Sequence, residues 1–249
     1  MSPYQNKEKA EWLAVTKDLV KSHPLDKDEI RDIAIESWGE LWRTRIGSGE
    51  SAFALADMYL PATVVGHFFE KLFLRNLASK NKELWRGPTE KSSKDIVYIP
   101  DNKFSIEMKC SGQLGLKIFG NRSYGQQSVD PAGTAKNKSG YYITVNFYET
   151  TLTLIRFGWI DHADWQAQEA QTGQMSGISE EVYQNKLIKI HGDYQLAAPV
   201  QLLSGVGQKT AETLVKSGIV LVKDVLVYSG DDRKIMKLKK PAQEFLGKE

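Results

Sequence analysis

The chain holds a single cysteine, Cys110, in 249 residues. No intrachain disulfide can staple it, which fits a reducing cytosol. Long apolar runs are missing: none reaches the roughly 18 residues needed to span a bilayer, and no basic-then-apolar leader opens the chain. Charge of one sign is also scarce. Lys and Arg number 33 against 31 Asp and Glu, a net of +2, so any pull on a polyanion has to come from clustering. His23, His67, His162 and His191 lack metal-ligand spacing and are expected to be ordinary surface or buried histidines. Repeats and low-complexity segments are absent as well. What remains, 41% hydrophobic and 26% charged residues, is an ordinary globular composition with a substantial core in one or two domains.

Apolar spacing predicts helices over 6–23, with Trp12, Leu13, Val15 and Leu19 on one stripe and Pro24 as the stop, and over 25–46, with Ile30, Ile33, Trp38 and Leu41. "GSGES" (47–51) reads as a loop. "PATVVGHFFEKLFLRNLASKN" (61–81) reads as a mostly apolar helix entered through Pro61, so it is expected to be buried across a sheet. From 83 the period falls to two. "DIVYI" (95–99) and "FSIEMKC" (104–110) are short strands joined at "PDNK". Residues 111–139, rich in Gly, Ser, Asn and Gln, read as a long functional loop or a short irregular helix. Residues 141–160 form a strand, a turn near Glu149–Thr151 and a second strand. "KLIKI" (186–190) suggests one more, and short helices return near Pro199.

Alternation on the strand 104–110 sends Phe104, Ile106, Met108 and Cys110 to one face and Ser105, Glu107 and Lys109 to the other. A solvent-facing strand would carry such residues for solubility alone. Beside a neighbouring strand bearing Asp95, however, Glu107 completes a pair of carboxylates able to hold Mg²⁺ through oxygen ligands. Lys109 could then steady an attacking water or the charge on phosphorus. Cys110 faces the core side and is expected to be inert.

Asp95 followed by Glu107-x-Lys109 resembles the PD-(D/E)xK nuclease superfamily, although Lys94 stands where that motif has proline. The resemblance implies a helix, a three-stranded meander, a helix and a further strand. It makes Asp95 and Glu107 metal ligands and Lys109 the water-positioning or charge-stabilising group. Glu70, in "GHFFEKLF", stands where many relatives carry a further glutamate. Ser111 and Gln113 follow the strand as polar site residues. In the loop beyond, Lys117, Arg122, Gln126, Gln127, Lys136 and Lys138 have donors for DNA contacts, as a solvated loop also would. "MYLPATVVGHFFEKLFLRNL" looks like the corresponding stretch of ScaI-like restriction enzymes, a closer resemblance covering roughly 50–160.

"PVQLLSGVGQKTAETLVKSGIVLVKDVL" (199–226) resembles a helix-hairpin-helix motif. Gly205-Val206-Gly207 would turn the chain and bring main-chain amides to a phosphate. Lys209 and Lys216 would aid the grip, and "DDRKIMKLKKP" adds basic density. Leu202, Ala211 and Leu214 would form a small core. A helical hairpin with a packing role has the same glycines.

The expected fold is α/β: a restriction-endonuclease-like α+β core with a mixed sheet flanked by helices, here 61–195. A helical N-terminal extension (1–60) precedes it and an all-α module (196–249) follows. The implied function is a type II restriction endonuclease that uses Mg²⁺ to cut double-stranded DNA at a short site. It would act as a homodimer in a prokaryotic cytoplasm beside a cognate methyltransferase. The alternatives are a repair or recombination nuclease and an inactive DNA-binding protein. XPF-type nucleases also place such a module after the core, but here Met108 replaces their arginine and Gln113 their later aspartate.

Overall fold

The computed structural model describes the chain except for residues 1, 91, 122, 123, 125–137, 168–174 and 249. Arg122, Gln126, Gln127 and Lys136 therefore lie outside the described residues. Helix α1 (Trp12–Ser22) ends before Pro24. Helix α2 (Lys27–Arg43) is capped by the Asp26 carboxylate, which accepts from the Asp28 N–H. Between α2 and α3 (Ala62–Lys80) the expected loop 47–51 joins the two strands of a small hairpin, β1 (Arg45–Ile46) and β2 (Phe53–Ala54). Next come β3 (Trp85–Arg86) and β4 (Val97–Tyr98), which pair with each other. Thus "DIVYI" is not part of the main sheet. It touches β5 (Ile106–Ser111) through one antiparallel bridge, Ile96 to Ile106.

The main sheet adds β7 (Gly140–Tyr148), β8 (Thr151–Ile160) and β11 (Leu187–Ile190) in the order β11-β8-β7-β5. Strands β7 and β8 form an antiparallel hairpin whose turn places Glu149 in the left-handed region (φ 52°). Strand β5 runs parallel to β7, so the sheet is mixed, and the expected three-stranded meander is not what forms. A parallel neighbour needs a long crossover, and 112–139 supplies it.

Each face of this sheet has its own cover. On one, Ile106, Met108, Ile143, Val145, Ile155 and Phe157 pack with Leu25, Ile30, Ile33, Leu41, Phe69 and Phe73 in a single apolar core. The N-terminal helices therefore share the core of the sheet, and residues 1–60 do not stand apart from it. Helix α3 buries Val65, Phe69, Phe73 and Leu77 but leaves His67, Phe68, Lys71 and Arg75 in solvent. With the sheet and α2 along its inner side only, its outer side stays wet, despite its apolar sequence. Gly66 lets α3 approach β5, since a Cβ there would lie 3.1 Å from that of Cys110.

The other face meets a second small sheet, β6 (Gly120–Asn121), β10 (Met175–Ile178) and β9 (Trp165–Ala167), together with α4 (Glu180–Asn185). Tyr142, Ile160 and Leu187 pack there with Ile118, Tyr124, Trp165, Val182 and Tyr183. Beyond β11, helices α5 (Gln208–Lys216), α6 (Val222–Val227), α7 (Arg233–Lys237) and α8 (Lys239–Phe245) gather around Val200, Leu214, Val222, Val225, Ile235 and Ala242. This third core shares no residue with the first two. It is tied back where the Phe245 carbonyl accepts from Gln195 Nε2 at 3.0 Å.

Candidate active site

Register explains why β5 carries charge into the interior. Glu107 lies opposite Tyr142, Lys109 opposite Thr144 and Ser111 opposite Asn146, all on the face covered by the second sheet. That face is not solvated: Glu107 is 4% exposed and Ser105 2%. A carboxylate buried so deeply is costly unless it is paired. Glu107 Oε1 accepts from the Lys109 ammonium at 2.9 Å and from the Tyr124 hydroxyl. Lys109 also donates to the Met108 carbonyl at 3.0 Å. Glu107 Oε2, equally buried, has no hydrogen-bond partner among the described residues.

Asp95 sits immediately before the residue that bridges to β5. Its Oδ2 accepts from the Met108 N–H at 2.8 Å, which places it beside Glu107. Burial and the charge of Glu107 push the Asp95 carboxyl up to about 6. Burial would also raise Glu107, but Lys109 and Lys94 outweigh it and, with the Tyr124 bond, hold that carboxyl down to about 2. Desolvation works against the Lys109 charge, yet Glu107 and Asp95 keep its ammonium above the ordinary range. The lysine remains protonated.

Among the described residues no group of three or more His, Cys, Asp or Glu side chains forms a metal cage. Glu70, on α3, pairs instead with Lys71 at 2.7 Å, although its charge is felt at Asp95 and Cys110. A cation here would rest on two carboxylates and take its other oxygens from water and substrate, as Mg²⁺ does. The orphaned Glu107 Oε2 fits that arrangement. Burial pushes the Cys110 thiol up to about 12, consistent with an inert side chain.

The remaining expected residues scatter. Ser111 is buried at the end of β5 and Gln113 is exposed just past it. Lys117 lines a different cleft, of about 760 Å³, with Arg156, Lys189 and Gln201. Gly205 (φ 83°) and Gly207, which caps α5, both face open space, and Lys209 and Lys216 are exposed. The first helix of the expected hairpin motif is only a 3₁₀ turn, Val200–Leu202. Sequence reading missed Tyr124, Lys94 and Tyr142. Lys94 had a signal in its position next to Asp95; Tyr124 had none, being one tyrosine within a long polar segment.

A buried and a half-buried carboxylate side by side, with a charged lysine, at the edge of a mixed sheet have the chemical means of a metal-dependent phosphodiesterase. Comparison with known proteins carries the class further. The family model described as ScaI restriction endonuclease matches residues 2–191. The type II restriction enzyme ScaI of Streptomyces caespitosus is 38% identical over 199 residues, 76% of this chain and 85% of that enzyme. A solved restriction endonuclease in complex with substrate DNA aligns at TM-score 0.37 and 13% identity, over 81% of this chain and 97% of that one. The chain belongs to the ScaI restriction endonuclease family and is a DNA endonuclease; the repair-nuclease alternative falls away.

Proposed function

We propose that Asp95 and Glu107 hold a Mg²⁺ ion at which one DNA phosphodiester is hydrolysed, with Lys109 as the charge-bearing third member. The observation that carries this is Glu107 Oε2: an oxygen of an ionised, buried carboxylate with no hydrogen-bond partner among the described residues. Leaving it unpaired costs a few kcal/mol, and a cation would relieve that. When bound, the ion polarises the phosphate and lowers the pKa of a coordinated water. Lys109, anchored by Glu107 Oε1 and the Met108 carbonyl, presents positive charge where negative charge grows on phosphorus. Glu70 adds negative charge near Asp95 from α3. Intact Asp95, Glu107 and Lys109 speak against a dead nuclease fold.

The chain would act on double-stranded DNA as a homodimer, each copy cutting one strand of a short symmetric site, with a methyltransferase protecting the host in a prokaryotic cytoplasm. No helix among the described residues is long and apolar enough to cross a membrane. Residues 196–249 would serve as a separate DNA clamp. Gly205 and Gly207 would bring the start of α5 to a backbone phosphate, with Lys209 and Lys216 alongside. Ser111, Gln113, Lys117 and Arg122 remain proposed DNA contacts.

Asp95→Asn and Glu107→Gln test the site while preserving shape. Both variants should fold, bind plasmid DNA in Ca²⁺ and fail to cut it in Mg²⁺. Discrete cleavage bands from folded Glu107→Gln protein would remove Glu107 from the metal site.

A further inference from the structure

Glu107 must do two things at once: stay in place while buried, and keep one oxygen available. Both donors to it converge on Oε1. One is Lys109; the other, the Tyr124 hydroxyl, comes from the crossover between β5 and β7. Tyr124 is itself 4% exposed and locked into the second core. Its ring meets Trp165 at 4.8 Å, edge to face, and Trp165 in turn packs on Tyr142, the residue opposite Glu107. The Lys109 and Lys138 ammonium groups lie 4.9 and 4.3 Å from the Tyr124 ring centroid. Gly120 leaves the room this needs, since a Cβ there would stand 2.9 Å from the Tyr124 ring. A hydroxyl fixed by so much packing is an oriented donor, not a passing contact.

We propose that Tyr124 is a positioning residue for the catalytic carboxylate: with Lys109 it pins Glu107 by Oε1 and so turns Oε2 toward the cation. This rests on the reading of Glu107 as a metal ligand. The crossover then does more than connect parallel strands, because it supplies the tyrosine that holds the ligand. Groups that hydrogen-bond a ligating carboxylate typically matter about 10- to 100-fold in metal affinity or activity.

Tyr124→Phe removes the hydroxyl and keeps the ring. In the full-length protein, Mn²⁺ binding followed by electron paramagnetic resonance of the free ion should weaken about tenfold. The Mg²⁺ concentration for half-maximal plasmid cleavage should rise by a similar factor. Cutting should return to the wild-type rate at saturating Mg²⁺, and the KM for DNA should not move. A merely structural tyrosine would instead lower the rate at every Mg²⁺ concentration and leave Mn²⁺ binding alone; either result overturns the proposal. So does loss of a cooperative melt, because the ring and not the hydroxyl should hold this segment. Glu107→Gln, measured in parallel, separates the two readings. If it still binds Mn²⁺ and cuts, the ligand assignment fails whatever Tyr124 does; if it loses both and Tyr124→Phe loses neither, only the positioning role fails.

Discussion

His23 shows how one buried side chain writes pH into stability. It lies among aromatic rings, 4.5 Å from Tyr141 and 4.8 Å from Phe157 between centroids. Its Nδ1 accepts from the Leu25 N–H at 3.0 Å, which makes Nε2 the donor to the Phe104 carbonyl, also at 3.0 Å. Burial holds the ring neutral and lowers its pKa from 6.5 to about 4. Below pH 6.5 the unfolded chain takes up a proton that the folded chain refuses, so stability falls with pH and levels off near 4. Urea unfolding at pH 7 and pH 5 should show a loss of about 2 kcal/mol from this group, which His23→Gln lacks. Lys109 is a second case. Both Lys109→Ala and Lys109→Arg should bind DNA in Ca²⁺ yet cut it more slowly in Mg²⁺ by about 10²–10³-fold. Arginine does not rescue, because its planar fork cannot replace a compact ammonium wedged between Glu107 and the Met108 carbonyl. A rate loss below about threefold, measured on supercoiled plasmid, would reduce Lys109 to a buried partner of Glu107.

At the scale of elements, β5 and α5 illustrate opposite uses of a helix or strand end. Strand β5 brings Glu107 into a covered interior, where Lys109 and the Tyr124 hydroxyl pair with one of its oxygens. Helix α5 leaves its start open: Gly207 and Gln208 are exposed and nothing packs within 4 Å of a Cβ built at Gly205 or Gly207. Backbone phosphates release counterions when lysines neutralise them, so the proposed clamp has a quantitative signature. Replacing Lys209 and Lys216 together by alanine should flatten the slope of log K against log salt by about 1.8, two contacts at about 0.9 each, on any DNA sequence. An unchanged slope in a filter-binding series would assign α5 a packing role. The proposed clamp would also give a role to the cations that follow, Arg233, Lys234, Lys237, Lys239 and Lys240.

At the scale of the whole molecule, the family match and the third apolar core divide the chain at about the same place. Family similarity ends at residue 191, and the helices after it have a core of their own. Removing residues 198–249 should therefore leave a folded enzyme that gives the same plasmid fragments but binds DNA more weakly, whatever its sequence. Partial loss of stability is expected, because Gln195 and His191 lose the Phe245 carbonyl as a partner. A folded truncation that produces a new fragment pattern would mean that the C-terminal unit takes part in reading the site.

Much of this was legible in the chain. Apolar runs and their spacing located α1, α2, α3, β7, β8 and β11; they did not show that β7 and β8 are buried on both faces or that the outer side of α3 is wet. A period of two puts Glu107 and Lys109 on one face whatever the partner strand is, and the structure keeps them together; Asp95, which lies outside the strands, came only from its spacing to that pair in the motif. Which partner β5 would choose was not legible. The parallel pairing with β7, the exclusion of "DIVYI" from the main sheet and the small sheet β6-β10-β9 arise from contacts between segments far apart in sequence. Those contacts decided that the polar face is buried and that Tyr124 reaches Glu107. The chain by itself specified which side chains make up the candidate site; only the tertiary structure decided its solvent, its partners and the oxygen left open, because desolvation and hydrogen bonding depend on what folds over a residue and not on its neighbours in sequence.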